Sequence, residues 1–156
     1  MQKIASFQIN HDTLEKGMYV SRIDGDVITY DIRMKKPNGG EYLHMSAAHT
    51  LEHLLATYLR NSEIGKSVIY VGPMGCRTGF YILLRDNVSG ADVIKLIIES
   101  FEFISKFEGK IPGTNKIECG NYLEHDLEGA KAVASDMLTV LEGYTEEMLD
   151  YGYERA

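Results

Sequence analysis

The dipeptide Asp24-Gly25 sits between two runs rich in β-branched and aromatic residues, 18–23 and 27–34. An Asp-Gly step suits the positive φ angles of a tight hairpin turn, so the two runs are predicted to pair antiparallel. Period-two alternation divides the second run into faces. Val27, Thr29, Asp31 and Arg33 share one; Ile28, Tyr30, Ile32 and Met34 share the other, more apolar one. That apolar face needs a covering layer, and the rest of the chain supplies helices. Ala47, Ala48, Leu51, Leu54, Leu55, Tyr58 and Leu59 recur at helical spacing within 46–62. Residues 67–71 and 79–85 read as two further strands around the loop 72–78. Ser89 can cap a second helix to about Phe107, with Asp92 in its first turn. A third helix is expected over roughly 125–142, and a short fourth from Thr145. Hairpin-paired strands followed by helices predict an α+β fold. The expected architecture is an antiparallel sheet of about four strands with helices on one face.

Length and composition limit the function. A chain of 156 residues suits a single domain over 1–156. Its formal net charge of −7 repels phosphate backbones and anionic lipid, so nucleic-acid and membrane partners are disfavoured. No apolar run approaches the ~18 residues that span a bilayer. The first residues lack the apolar segment of a secretion signal, and two cysteines make no disulfide framework. The expectation is a soluble cytoplasmic protein with reduced thiols.

The chemistry concentrates in His49-Thr50-Leu51-Glu52-His53. Residues four apart lie one turn apart on a helix, so both imidazoles can face one metal ion, with Glu52 beside them. Two histidines and a carboxylate are costly in an otherwise apolar helix unless they have partners. Two histidines do not complete a site. Cys119, between Glu118 and Gly120-Asn121, offers a thiolate as third ligand; His125 competes, although its place at a helix start also suits capping or support of a ligand. Cys76 lies in a loop with glycine at 75 and 79, where backbone freedom permits close approach of a substrate, and Arg77 next to it would favour the thiolate. One thiol for a metal and one for proton transfer is a coherent division of labour.

Five separated blocks resemble the S-ribosylhomocysteine lyase (LuxS) family. They are Ser6-Phe7 with His11; Asp31-Ile32-Arg33 with Pro37-Asn38; His49 to Leu54; Pro73 to Tyr81; and Glu118 to Tyr122. The resemblance implies cleavage of S-ribosylhomocysteine to homocysteine and the autoinducer-2 precursor, 4,5-dihydroxy-2,3-pentanedione. It implies one divalent ion per chain, Fe²⁺ physiologically and replaceable by Zn²⁺ or Co²⁺. It also implies a homodimer with sites at the interface, into which the N-terminal segment of the partner reaches. Carried onto this sequence, it makes His49, His53 and Cys119 the metal ligands and Glu52 and Cys76 the acid–base pair. Ser6, His11 and Arg33 become substrate-binding residues. The chain departs from the family pattern at Tyr70-Val71-Gly72, where Asp-Ile-Ser is usual, and at Met34-Lys35-Lys36, where Phe-Cys is usual.

His-x-x-Glu-His is also the pattern of inverzincin peptidases, in which Glu52 would activate water. That alternative leaves both cysteines idle. A catalytically inactive metal-binding homologue is the other alternative.

Overall fold

The computed structural model describes residues 1–154. Seven regular elements follow the predicted order: β1 (Gly17–Asp24), β2 (Val27–Arg33), α1 (Met45–Arg60), β3 (Val68–Pro73), β4 (Gly79–Arg85), α2 (Gly90–Ser105) and α3 (Leu127–Val140). The expected fourth helix is a single 3-10 turn, Glu146–Leu149. Only Leu149 of that turn is buried, so packing gives the segment no face along which to propagate.

The four strands form one antiparallel sheet in the order β1-β2-β4-β3. Gly25, at φ +60°, turns the first hairpin and sets the pairing of Asp24 with Val27. Register then fixes the faces. Ile32 lies opposite Met18 on β1 and Phe80 on β4; Ile82 lies opposite Tyr30 on β2 and Val71 on β3. These side chains pack with Leu51, Leu54 and Leu55 of α1, Ile97 and Phe101 of α2, and Ala134 and Met137 of α3 in one core. Each fully buried aliphatic side chain there contributes about 1.5–3 kcal/mol. Helices cover this face, as the alternation predicts.

The opposite face is not bare. Cross-strand pairing places Tyr19, Asp31, Tyr81 and Gly72 in one row across all four strands. Tyr19, Asp31 and Arg33 on this face are buried. Part of the cover comes from the end of the chain, where Tyr151 stacks on Tyr19 with ring centroids 4.7 Å apart. Gly79 lies opposite Arg33, and a Cβ at Gly79 would come within 2.2 Å of the Ile32 carbonyl oxygen, so only glycine lets the strands approach here.

Two contacts dock α3 against α1 and position the loop before it. The Asp126 side chain caps α3 by accepting from the Gly129 amide at 2.9 Å. The Asp126 amide in turn donates to Thr50 Oγ1 of α1 at 2.9 Å. Asp126 is therefore the cap, and His125 precedes the helix rather than capping it.

Candidate active site

His49 and His53 project from one face of α1, with ring centroids 4.7 Å apart. Each ring is held by its Nδ1. His49 Nδ1 donates to the Glu124 carbonyl at 2.7 Å, and His53 Nδ1 donates to the Pro112 carbonyl at 2.7 Å. These bonds fix the tautomer and leave each Nε2 with a lone pair for a metal. Gly113, at φ +71°, packs against the second ring; a Cβ there would lie 3.1 Å from His53 Nδ1. The Cys119 sulfur comes to 3.4 Å from His49 Nε2 and accepts from the Asn121 amide at 3.4 Å.

His125 joins the same cluster. Its ring stacks on His49 at 4.0 Å, and its Nδ1 meets Thr50 Oγ1 at 3.0 Å. Its Nε2 is buried with no hydrogen-bond partner. Burial lowers the tendency of this ring to protonate, and the nearby His49 and His53 lower it further, against a smaller opposing effect of Glu124. His49, His53, Cys119 and His125 each offer a donor atom, all within 4.8 Å of one another. Cys119 and His125, alternatives in the sequence, thus stand side by side. Three imidazoles and a thiol, one ring carrying a buried nitrogen without a hydrogen-bond partner, are a donor set that fits a transition-metal ion. Glu52 lies half-buried on the same turn of α1.

Cys76 belongs to a second polar group, at the end of the sheet. Its sulfur is 3.1 Å from Thr78 Oγ1, which accepts from Arg33 Nη1 at 2.7 Å. Arg33 is 2% exposed and forks onto Asp31, which is 0% exposed, through Nε at 3.1 Å and Nη2 at 2.6 Å. Tyr151 donates its hydroxyl to Asp31 Oδ2 at 2.7 Å. Burial works against the Arg33 charge, but Asp31, then Cys76 and Tyr151, outweigh it and hold the guanidinium above its ordinary value. Burial, together with Asp31, pushes the Tyr151 hydroxyl well above the usual phenol range. The neighbouring Arg77, expected to serve Cys76, instead lies over the Tyr42 ring at 5.8 Å. Its φ of +58° turns it in the left-handed region at the tip of the loop.

These arrangements gain a context from relatives. The family model S-Ribosylhomocysteinase (LuxS) matches residues 4–147. The chain is 49% identical to a protein of Porphyromonas gingivalis named S-ribosylhomocysteine lyase, over 97% of this chain and 99% of that one. Proteins of the same name from Clostridium acetobutylicum and Borreliella afzelii are 44% and 47% identical, each over 97% of this chain and 99% of their own length. The chain belongs to the S-ribosylhomocysteinase (LuxS) family.

The departure from the family pattern at Tyr70 and Gly72 is a matched pair. A Cβ at Gly72 would fall 2.1 Å from the Tyr70 hydroxyl oxygen, so the tyrosine ring occupies the space above the glycine. Ser6 lies in the 3-10 turn Ala5–Phe7, and His11 Nδ1 donates to the Ile9 carbonyl at 2.9 Å. The chain between them borders an open cleft of about 540 Å³ with Tyr19 and Tyr151, on the face opposite the helices. No hydrogen bond, ion pair or ring contact joins Ser6, His11 or Cys76 to the imidazole cluster among the described residues. Sequence reasoning passed over Asp31, Thr78, Tyr151 and the Pro112 carbonyl as site components. Two of them carried a signal: Asp31 lies two residues from Arg33 on one strand face, and Thr78 lies in the block Pro73 to Tyr81 beside Cys76.

Proposed function

We propose that this chain is a metal-dependent S-ribosylhomocysteine lyase that releases homocysteine and 4,5-dihydroxy-2,3-pentanedione. The observation that carries the reading is the convergence of His49, His53 and Cys119 with Glu52 on the same helical turn, in a chain of this family. Fe²⁺ is the proposed physiological ion, with Zn²⁺ and Co²⁺ as substitutes; a thiolate with imidazoles suits all three. A divalent ion held there supplies Lewis acidity toward the oxygens of the sugar.

The substrate thioether is a poor leaving group until a carbonyl stands beta to the C–S bond. Protons must therefore move between neighbouring carbons and oxygens before elimination. Cys76, on an exposed loop, is the proposed base for carbon-bound protons. Glu52 carries protons between oxygens and to the departing sulfur. In the final step a proton leaves carbon, its electron pair forms the C=C bond, and the C–S pair departs on sulfur, which is protonated as homocysteine. Arg33 spends Nε and one hydrogen of each Nη on Asp31 and Thr78, so the second hydrogen of each Nη is the donor left for substrate in this scheme.

The proposed working unit is a homodimer. Two considerations support it: among the described residues no hydrogen bond, ion pair or ring contact joins Ser6, His11 or Cys76 to the imidazole cluster of their own chain, and the family resemblance implies a site between subunits. Iron-loaded protein kept free of oxygen should release homocysteine from S-ribosylhomocysteine, read with a thiol reagent. Absence of release from correctly loaded dimer would reject the reading.

A further inference from the structure

We infer that Thr50 is a positioning residue: its hydroxyl holds His125 in the Nδ1–H tautomer and so makes Nε2 of that ring a fourth donor to the ion of the His49, His53 and Cys119 site. The inference deepens the metal reading proposed above and rests on it. Thr50 is 0% exposed, so water does not serve its hydroxyl. A hydroxyl has one proton and two lone pairs, and an uncharged imidazole has one N–H and one lone pair. Three groups surround Thr50 Oγ1. The Asp126 amide can only donate to it, at 2.9 Å, and the Ser46 carbonyl can only accept from it, at 3.1 Å. One lone pair is left for the third, His125 Nδ1 at 3.0 Å, so that nitrogen carries the ring proton. The opposite tautomer fails twice. It would draw the hydroxyl proton away from the Ser46 carbonyl, and it would bury an Nε2–H that has no acceptor.

The lone pair of His125 therefore falls on its buried, unpartnered Nε2. His49 and His53 reach the same state by a similar route, with Nδ1 bound to a carbonyl and Nε2 left free. One donor atom from each ring and the Cys119 sulfur all lie within 4.8 Å of one another. Since every Nδ1 is engaged, Nε2 is the atom each ring has to offer. Thr50 lies between His49 and His53 on α1, so the helix that supplies two ligands also orients the third ring. Four protein donors close a site that three leave open. Cys119, as a thiolate, brings the only negative charge among the four, so His125 adds to that anchor and does not replace it.

Two spectra of the full-length protein test this. In metal-free protein labelled with nitrogen-15, at about pH 7.5 and so above the ordinary imidazole range, long-range proton–nitrogen correlations report which ring nitrogen carries hydrogen. His125→Asn assigns the signals. His125 should take the Nδ1–H form in wild type and in Thr50→Ser, and the Nε2–H form or a mixture in Thr50→Val. In Co²⁺-loaded protein, each imidazole bound through Nε2 gives one exchangeable Nδ1–H resonance displaced by the paramagnetic ion. Wild type should show three and His125→Asn two. In competition with a chelator, Thr50→Val should hold Co²⁺ about tenfold more weakly, and Thr50→Ser within about twofold of wild type. Thr50→Ala stands in if the valine variant does not fold. An Nε2–H form of His125 in wild type, only two displaced resonances, or equal weakening in the serine and valine variants would overturn the inference. Protein that takes up no Co²⁺ would overturn it together with the metal reading. Neither spectrum uses S-ribosylhomocysteine, so failure to release homocysteine would leave the inference standing, and two displaced resonances would leave the lyase reading standing.

Discussion

The imidazole cluster and the Arg33–Asp31 group bury polar atoms by opposite means. The second is closed within itself: two salt-bridge hydrogen bonds, a threonine and a tyrosine account for both charges. The first is open, because three rings are anchored at Nδ1 while the buried Nε2 of His125 has no partner. A closed polar group can hold shape without a ligand, whereas an open one is complete only when something enters it. The difference teaches how the molecule divides its work. The sheet holds a charge within a closed set of bonds, and the helix with its loops gathers four donor atoms within 4.8 Å of one another.

The largest effect should come from removing a donor at the open cluster. Cys119→Ala is expected to reduce bound metal from one ion per chain to near zero and to abolish turnover, checked by elemental analysis. Full metal content in that variant would show that His125 can replace the thiolate. Next, Cys76→Ala and Glu52→Gln should each keep metal yet lose about 10²–10⁴-fold in turnover, the usual cost of losing a general base or acid. Wild-type homocysteine release by metal-loaded Cys76→Ala would detach the second group from the chemistry.

Asp31→Asn sharpens the comparison from the other side. It strands a buried guanidinium, which should cost about 3–5 kcal/mol in chemical denaturation while the metal content of folded protein is unchanged. Tyr151→Phe removes one hydrogen bond to a carboxylate and should cost about 1.5–3 kcal/mol. A loss of metal in either variant would mean that the two groups are energetically one.

The smallest effect concerns pH. The tendency of His125 to protonate is lowered in the folded chain by burial and by its neighbouring imidazoles. The unfolded chain therefore binds the proton more readily, so metal-free protein should lose stability as pH falls below about 6.5. Thermal unfolding of chelated protein at pH 7.5 and 5.5 reads this, and His125→Asn should flatten the dependence.

Much of the open cluster could be seen in the sequence, and little of the closed one. His49, Glu52 and His53 lie within one helical turn, so their approach is a local property of α1. Cys119 and His125 were visible as candidates, yet the place of His125 depends on Thr50 meeting both that ring and the start of α3, and Cys119 reaches the cluster at His49 Nε2. Arg33 was assigned correctly to the face it shares with Asp31. What alternation did not reveal was that this face is covered, because the cover comes from Tyr151, far away in the chain.

The strands, their faces, the apolar side of α1 and the spacing of its histidines follow from the sequence alone. Each rests on a short-range period, two residues in a strand or about four in a helix, and on turn residues such as Gly25. Tertiary structure alone decided that Cys119 and His125 are neighbours, that Pro112 and Glu124 lend carbonyls to the rings, and that the Thr78 hydroxyl lies between Arg33 and the Cys76 sulfur. Those relations join segments that no local period connects, and they exist because packing of the helices and closure of the sheet bring polar groups together where each must find a partner.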